Sequence, residues 1–399
     1  MIALDAIAQS AKEGAESIFR YVERTAEATG DGVRWQTLSY ENRPYYDASV
    51  FNGVGGIPLF LADYYRLTGD RQALELGIGG TRWCLAGKRT WAGGRGPSNV
   101  SLCFGRAGAG MAWLRLAQVA GDTSLLDRAC EVGERVAGAR LGPVADFIGG
   151  VAGQGVFFLR LWEATHDQRH LDAAAQRGAW LAEHAIRDER GLVWSWRVDR
   201  PDEAGTGFAH GCAGVAHFFT LLAQTTGDAQ WRRVAEEAIE TLARHAVPDR
   251  GGLNWPLHFG RQTRLACQWC WGSPGIGLLF VKAHEVMGEA RYLDIATAAG
   301  ETTYAYGDVR HNPSQCHGLA GNAELFVELY RLTRDRRWLE RAHDFARRCL
   351  SYRTTGPEGD TWQADEPGIS SPDFMSGAAG TGHFFLRLLR PDEVRMPLQ

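Results

Sequence analysis

Two kinds of apolar segment alternate along the chain. One kind is apolar or aromatic on nearly all sides, as in QGVFFLRLW at 154–162 and VAHFFTLL at 215–222. The other has apolar residues three and four positions apart with charges between them, as in WRRVAEEAIETLARHA at 231–246 and RRWLERAHDFARRCL at 336–350. A helix that is apolar all round is buried, whereas an amphipathic helix keeps one face in solvent. The pattern therefore predicts pairs of one inner and one outer helix.

A Gly-x-x-Gly motif that leads into an apolar, aromatic-rich run is predicted to open each inner helix, and this combination occurs seven times. The first glycines of the seven copies are Gly53, Gly105, Gly150, Gly211, Gly272, Gly318 and Gly377. In the first six copies an acidic residue stands 17 positions after that glycine. These acidic residues are Asp70, Asp122, Asp167, Asp228, Glu289 and Asp335. The amphipathic pattern begins just after the acid, so each repeat is predicted to be an αα-hairpin.

The two chain ends favour closure of the repeats into a ring. Only PDEVRMPLQ, at 391–399, follows the inner helix of the seventh copy, and it is too short for an outer helix. The N-terminus begins with a lone amphipathic segment at 5–28 that can fill this outer position. We predict an all-α fold in one domain over 1–399, an (α/α)7 toroid with seven inner and seven outer helices. An open solenoid of the same hairpins is the alternative.

The segments between repeats vary in length, and the extra residues collect at 189–209, 247–269 and 351–375. These segments are rich in Gly, Trp and Pro, which predicts loops at one end of the ring, where functional residues tend to concentrate. Their tryptophans either line a peptide groove or fix the loops to the core. The tryptophans concerned are Trp194, Trp196, Trp255 and Trp362.

Charge and cysteine content exclude several classes of protein. The formal net charge of −4 argues against a nucleic-acid or anionic-membrane surface. The sequence has no signal-peptide pattern and no run of about 18 apolar residues that would predict a membrane span. Eight cysteines without a secretory signal are expected to be thiols or metal ligands. We therefore expect a cytoplasmic protein.

Residues of types that can bind a metal, cysteine and histidine, stand just before the first glycines of copies four to six. Cys270, Cys316 and His317 occupy the two positions before these glycines in copies five and six, and His210 does so in copy four. Successive copies are neighbours in a ring, so these side chains are predicted to meet. Two thiolates and one imidazole are a common zinc set, and three protein ligands leave a fourth position for water or substrate.

Two further cysteines could change this interpretation. Cys267, in CQWC, is an alternative fourth ligand that would close the site and make it structural. Cys103 has the same place in copy two as the proposed ligands but is expected across the ring, without a chemical role. Four other cysteines are expected to be small core residues. These are Cys84, Cys130, Cys212 and Cys349.

The motifs around these residues resemble the lanthionine synthetase C-like (LanC) family of zinc-dependent lanthipeptide cyclases. The motifs are AHGCAG at 209–214, WCWGSPGIG at 269–277 and CHGLAGN at 316–322. The resemblance covers essentially the whole chain and implies an (α/α) toroid. By position, Cys270, Cys316 and His317 correspond to the zinc ligands, and His210 to the active-site histidine.

Further positions bear on the same resemblance. Asp146, in DFIGGVAG, matches an acid found in the family four residues before a repeat glycine. The chain departs from the family pattern at Trp271, where a tyrosine is frequent, and at Ala266, where an arginine is frequent. Arg264 is a candidate replacement for that arginine.

The resemblance implies a precursor peptide whose Ser or Thr residues have been dehydrated. A substrate cysteine held as thiolate on zinc would add to a dehydro residue and form a thioether ring. His210 would serve as acid/base for the α-carbon, oriented by Asp146. Otherwise, His210 is a structural cap and Asp146 a helix N-cap. Since the repeats account for the whole chain, separate dehydratase or kinase/lyase enzymes are expected as partners.

Three other functions stay open from the sequence. A related enzyme could add glutathione or another small thiol to the same electrophiles. A prenyltransferase-type enzyme also activates a peptide thiol on zinc in an α/α ring, but its six-fold pairing and Asp-Cys-His site fit the seven copies poorly. A non-enzymatic helical scaffold with a structural zinc is the third alternative.

Overall fold

The repeated αα-hairpins are present in the computed structural model, which describes residues 2–86, 99–260 and 264–398. The described residues form fourteen α-helices. These are α1 (Ile2–Arg24), α2 (Ile57–Thr68), α3 (Arg71–Leu85), α4 (Arg106–Ala120), α5 (Thr123–Ala137), α6 (Val151–Thr165), α7 (Gln168–Glu183), α8 (Cys212–Thr226), α9 (Ala229–Arg244), α10 (Ser273–Met287), α11 (Ala290–Tyr306), α12 (Leu319–Thr333), α13 (Arg336–Leu350) and α14 (Ala378–Leu389). The prediction of a mainly helical chain is confirmed.

Within 2–86, 99–260 and 264–398, short strands pair into five separate two-stranded antiparallel hairpins. The strands are β1 (Glu27–Thr29), β2 (Gly32–Arg34), β3 (Thr37–Leu38), β4 (Pro44–Tyr45), β5 (Ile186–Asp188), β6 (Gly191–Val193), β7 (Val247–Asp249), β8 (Gly252–Asn254), β9 (Arg353–Gly356) and β10 (Gly359–Trp362). The last three hairpins lie in or at the edge of the segments for which loops were predicted. That expectation was incomplete because glycines at positive φ, such as Gly191, Gly251 and Gly359, allow tight turns between two short strands.

The predicted helix boundaries follow from the repeat motif. Inner helices α4, α6, α8, α10 and α14 each begin directly after the first glycine of the motif, which is their N-cap residue. Four outer helices begin after an acid whose carboxylate accepts a hydrogen bond from the backbone N–H two residues on, at 2.7 to 2.9 Å, whereas Glu289 before α11 makes no such bond. The four acids that make this bond are Asp70, Asp122, Asp167 and Asp228. Carboxylate N-caps satisfy N–H groups that a helix start leaves unpaired.

One compact unit is formed by the described parts of 1–138, 308–323 and 336–399. In it α14 packs on α2, α2 packs on α4, and α1 packs along α14 and α13. Gly14 of α1 allows this close approach, since an added Cβ would lie 2.8 Å from Phe385 and 2.9 Å from Leu350. The N-terminal helix therefore lies beside the seventh inner helix, as predicted from the amphipathic segment at 5–28. It ends earlier than that segment, at Arg24, because strands β1 and β2 follow.

The second compact unit comprises 139–307 and 324–335. Its inner helices α6, α8 and α10 pack side by side, and each packs on its own outer helix, α7, α9 or α11. The inner helices are buried on nearly all sides, as their composition predicted. Among the described residues, no helix combines the length and the apolar character that a membrane crossing needs.

Tryptophans fix the hairpin segments to the helices. Trp194 and Trp255 are buried, and each indole N–H donates to a carbonyl near the end of the preceding outer helix, Leu181 or Leu242, at 2.8 and 2.7 Å. Trp362 is also buried and donates to the hydroxyl of Ser17 at 3.1 Å. These three tryptophans therefore fix loops to the core and do not line a groove. Trp196 is half-buried, and its indole N–H donates to Glu203.

Candidate metal centre

Backbone hydrogen bonds join the residues that stand two positions before the repeat glycines. In the first unit, Cys316 N donates to Met375 O at 2.8 Å, and Met375 N donates to Phe51 O at 2.9 Å. In the second unit, Ala209 N donates to Cys270 O at 3.1 Å. Backbone hydrogen bonds therefore link the openings of different repeats within each unit. These bonds fix the residues that precede each inner helix.

A sharp turn positions Cys270 before α10. Gly272 has φ +100°, and an added Cβ would lie 1.9 Å from the carbonyl oxygen of Ala266. Only glycine fits such a backbone without strain. The side-chain oxygen of Asn254 accepts a hydrogen bond from Ser273 N at 3.1 Å, which ties the start of α10 to strand β8.

Cys270, Cys316 and His317 offer ligand atoms that all lie within 4.8 Å of one another. Both thiols are buried, at 3% and 1% exposure, while the His317 side chain is 26% exposed. Two sulfurs and one imidazole nitrogen at this spacing fit a tetrahedral zinc with one position left for another ligand. The three predicted metal-ligating residues are brought together by the fold.

Cys267 and Cys103 are not part of this cluster as the described residues form it. Burial raises the pKa of the Cys267 thiol to about 12, with a smaller opposing effect from Thr303. Because the cluster of the described residues contains Cys270, Cys316 and His317 without Cys267, its geometry favours three protein ligands over four.

The imidazole of His317 is held by a carboxylate that the sequence motifs did not indicate. Asp365 Oδ2 contacts His317 Nδ1, and Asp365 Oδ1 accepts a hydrogen bond from the Ser314 hydroxyl. Ser314 Oγ in turn accepts a hydrogen bond from His317 N at 3.3 Å. Asp365 lies in the segment 351–375, and no feature of the sequence distinguishes it from the other acids there.

A second histidine–carboxylate pair is formed by His210 and Asp146. Asp146 Oδ2 lies 2.8 Å from His210 Nδ1, and Oδ1 accepts a hydrogen bond from Gly149 N at 2.7 Å. The Asp146 side chain is 2% exposed and that of His210 is 38% exposed. One carboxylate therefore contacts both the turn before α6 and the histidine of the next repeat. The N-cap residue of α6 is Gly150, without a side-chain cap, so the alternative of Asp146 as helix N-cap is wrong.

The two positions that depart from the family pattern lie in the same unit as His210. The ring of Trp271 lies 6.0 Å from that of His210 and 5.7 Å from that of His258. Gly207 makes room for this indole, since an added Cβ would lie 2.5 Å from it. Arg264 is exposed.

Comparison with known proteins identifies the family. The model of the family described as lanthionine synthetase C-like protein matches residues 44–398. The chain belongs to the lanthionine synthetase C-like family. A LanC-like relative from Danio rerio, named glutathione S-transferase LANCL1, is 28% identical over 235 residues, which cover 58% of this chain and 53% of that protein. The chain thus spans about half the length of this curated relative.

Solved structures confirm the predicted fold class of this LanC-like chain. The nisin cyclase structure aligns with a TM-score of 0.68 and 17% identity, over 94% of this chain and 93% of that chain. An α-1,6-mannanase from a Salegentibacter species aligns with a TM-score of 0.55 and 15% identity, over 95% and 98% of the two chains. The LanC-like chain is an all-α toroid of paired inner and outer helices. At these identities the likeness shows the fold alone.

Proposed function

We propose that this LanC-like protein is a zinc-dependent cyclase that adds substrate cysteine thiols to dehydroalanine or dehydrobutyrine residues. The observation that carries the proposal is the cluster of Cys270, Cys316 and His317, whose ligand atoms lie within 4.8 Å of one another. The pair of His210 and Asp146 supplies an acid/base group of the kind that the addition needs. The fold by itself carries no such argument, because one fold serves many reactions.

The three residues of the cluster would hold the zinc ion. Since Asp365 contacts Nδ1 of His317, the imidazole would bind the metal through Nε2. Two thiolates and a neutral imidazole balance the charge of Zn²⁺. When bound, zinc lowers the pKa of a thiol far enough to ionise it at neutral pH.

His210 would move the proton that completes the addition. As the C–S bond forms at the β-carbon of the dehydro residue, the π electrons of its double bond move to the α-carbon and carbonyl as an enolate. His210 Nε2 first accepts the proton that the substrate thiol loses on ionisation and then donates it to the α-carbon, so that S–H is added across the double bond overall. Asp146 holds Nδ1 on the opposite edge of the ring and keeps the imidazole in one orientation.

The proposed substrate is a peptide already dehydrated by other enzymes. Thiol addition creates no double bond, so a dehydratase or a kinase/lyase enzyme must first remove water from Ser or Thr. We expect these enzymes to act before this protein and to be its functional partners.

Addition of a small thiol is a second candidate function. The relative from Danio rerio carries the name glutathione S-transferase, and its matched region covers 58% of this chain. The zinc cluster and the His210–Asp146 pair would serve that reaction equally well. The two candidates differ in whether the attacking thiol belongs to the same peptide as the dehydro residue.

Mass spectrometry of a dehydrated peptide incubated with the protein, zinc and glutathione separates these candidates. Cyclisation leaves the mass of the peptide unchanged and removes its free thiols, which a thiol-alkylating reagent detects. Glutathione addition increases the mass by one glutathione for each adduct. We expect loss of alkylation without an adduct; neither change, with zinc bound, would contradict both candidates.

Removal of the metal distinguishes catalysis from a purely structural zinc. If zinc only clips a scaffold together, chelation should unfold the protein. We expect chelation to abolish thiol addition while far-ultraviolet circular dichroism and the thermal midpoint change little. Restoration of activity by added zinc controls for irreversible damage.

A further inference from the structure

The carboxylate that contacts His317 comes from outside the metal-binding motifs. Asp365 follows strand β10 by three residues, and its side chain is 22% exposed. Its two oxygens have different partners: Oδ2 contacts His317 Nδ1, and Oδ1 accepts from the Ser314 hydroxyl. Ser314 and His317 belong to the same repeat opening, so the carboxylate bridges two points of one turn.

Contacts with helix α1 and with its own turn fix the segment that carries Asp365. Trp362 is fully buried and donates to Ser17 Oγ at 3.1 Å, and Ser17 Oγ donates to Asp360 Oδ2 at 2.6 Å. Next to Asp365, Ala364 N donates to Ile369 O at 2.7 Å. The carboxylate therefore lies in a turn that directly follows the β9–β10 hairpin, and hydrogen bonds hold both the hairpin and the turn.

The contact between Asp365 and His317 determines which imidazole nitrogen can bind a metal. An ionised carboxylate only accepts hydrogen bonds, so Nδ1 of His317 must carry the proton. In a neutral imidazole the lone pair is then on Nε2. Ligating histidines generally hold their other N–H against a carboxylate or carbonyl in this way, and the partner fixes the ring and raises its basicity.

We propose that Asp365, braced by Ser314, is the positioning residue that presents Nε2 of His317 to the metal. The inference rests on the proposed zinc-binding function of the cluster. Asp365 touches neither substrate nor reacting atoms in this assignment and acts only through His317. Loss of the carboxylate should weaken metal binding first and activity as a consequence.

Zinc affinity of the folded full-length protein tests the assignment without any activity measurement. Zinc dissociation constants would be measured by competition with a chromophoric chelator for the wild type, Asp365→Asn and Ser314→Ala. We expect Asp365→Asn to weaken zinc binding by about 10- to 100-fold. Ser314→Ala should cause a smaller loss in the same direction, because Asp365 keeps its contact with Nδ1.

Glu366→Gln is the matched control, since it removes one negative charge at the next residue, which is exposed. Its zinc affinity should equal that of the wild type. Long-range ¹H–¹⁵N spectra of the imidazoles of metal-free protein supply a second readout. The wild type should show His317 with its proton on Nδ1, and Asp365→Asn should shift the population towards the Nε2-protonated form.

The outcomes separate this inference from the proposed function. Equal zinc affinity of the wild type and Asp365→Asn, with an unchanged tautomer, would overturn the role of Asp365. Weakened zinc binding in a protein whose wild type adds no thiol would support Asp365 and contradict the proposed function. A wild type that binds no zinc would overturn both.

Discussion

Histidine–carboxylate pairs occur at two repeat openings, and they differ in what surrounds them. His317 and Asp365 lie beside two buried thiols. His210 and Asp146 lie beside the indole of Trp271, with the imidazole 38% exposed. In both pairs Nδ1 faces the carboxylate. We propose metal binding for the first pair and proton transfer for the second, because the neighbours of the two pairs differ.

A third histidine–carboxylate pair, His383 and Asp63, is closed to solvent. His383 Nε2 lies 3.1 Å from Asp63 Oδ2, and both side chains are fully buried. The Arg115 guanidinium also binds Asp63. Although burial opposes ionisation, the bonds from His383 and Arg115 lower the pKa of Asp63, so this carboxylate is charged and paired. Because both side chains are fully buried, this pair is closed to solvent, unlike the two pairs at the repeat openings.

Cys316→Ala should have the largest effect, because it removes one of the three proposed metal ligands. We expect loss of bound zinc together with a fall in thiol addition of at least about 100-fold, since an unassisted thiol is mostly protonated at neutral pH. Metal analysis and the mass-spectrometric assay measure the two losses. Cys103→Ala is the control at the equivalent position of another repeat. Unimpaired ring formation by a zinc-free Cys316→Ala protein would rule out the mechanism.

His210→Ala should show that the two histidine–carboxylate pairs have different roles. We expect zinc content to stay at the wild-type level while the rate of addition falls by about 10²- to 10⁴-fold, the usual contribution of a general acid. His258→Ala is the matched control because its ring also packs near Trp271. Loss of zinc in His210→Ala would show that the pairs do not have distinct roles.

Asp146→Asn should have a smaller effect in the same direction. The amide oxygen can still accept from Gly149 N, whereas the charge facing His210 is lost. A hydrogen bond to a charged group contributes about 1.5–3 kcal/mol, which corresponds to roughly a 10- to 100-fold fall in rate. Zinc affinity should not change. If Asp146→Asn weakened zinc affinity and Asp365→Asn left it unchanged, the roles proposed for the two pairs would be contradicted.

Cys267→Ser should have the smallest effect on chemistry. Cys267 is buried and lies outside the cluster of Cys270, Cys316 and His317. We expect zinc affinity within about twofold of the wild type. A large loss of zinc, measured with the same chelator, would indicate that Cys267 is a fourth ligand.

The fold was predictable because its information is local and repeated. Apolar periodicity distinguished inner from outer helices, and the acid 17 residues after each glycine marked the start of an outer helix. The amphipathic segment at 336–350 coincides with α13. The ligand cluster was predictable for a related reason: a motif position repeated around the ring places Cys270 near Cys316 and His317.

Contacts between distant segments were not predictable in this way. Asp365 contacts a histidine 48 residues earlier in the chain, and several acids in its segment have the same chemistry. Nor does composition show whether a loop tryptophan points to solvent or to the core. The indole N–H groups of Trp194 and Trp255 each donate a hydrogen bond to a carbonyl 13 residues earlier. Only the fold reveals these contacts.

X-ray absorption at the zinc edge tests the central claim most directly, because it counts the atoms bound to the metal. The three-ligand site predicts two sulfurs at about 2.3 Å, one imidazole nitrogen at about 2.0–2.1 Å and one exchangeable light atom. Addition of a thiol substrate should replace that light atom with a third sulfur. A wild-type protein that already shows three or four sulfurs without substrate, or whose coordination does not change when a thiol is added, would contradict the account.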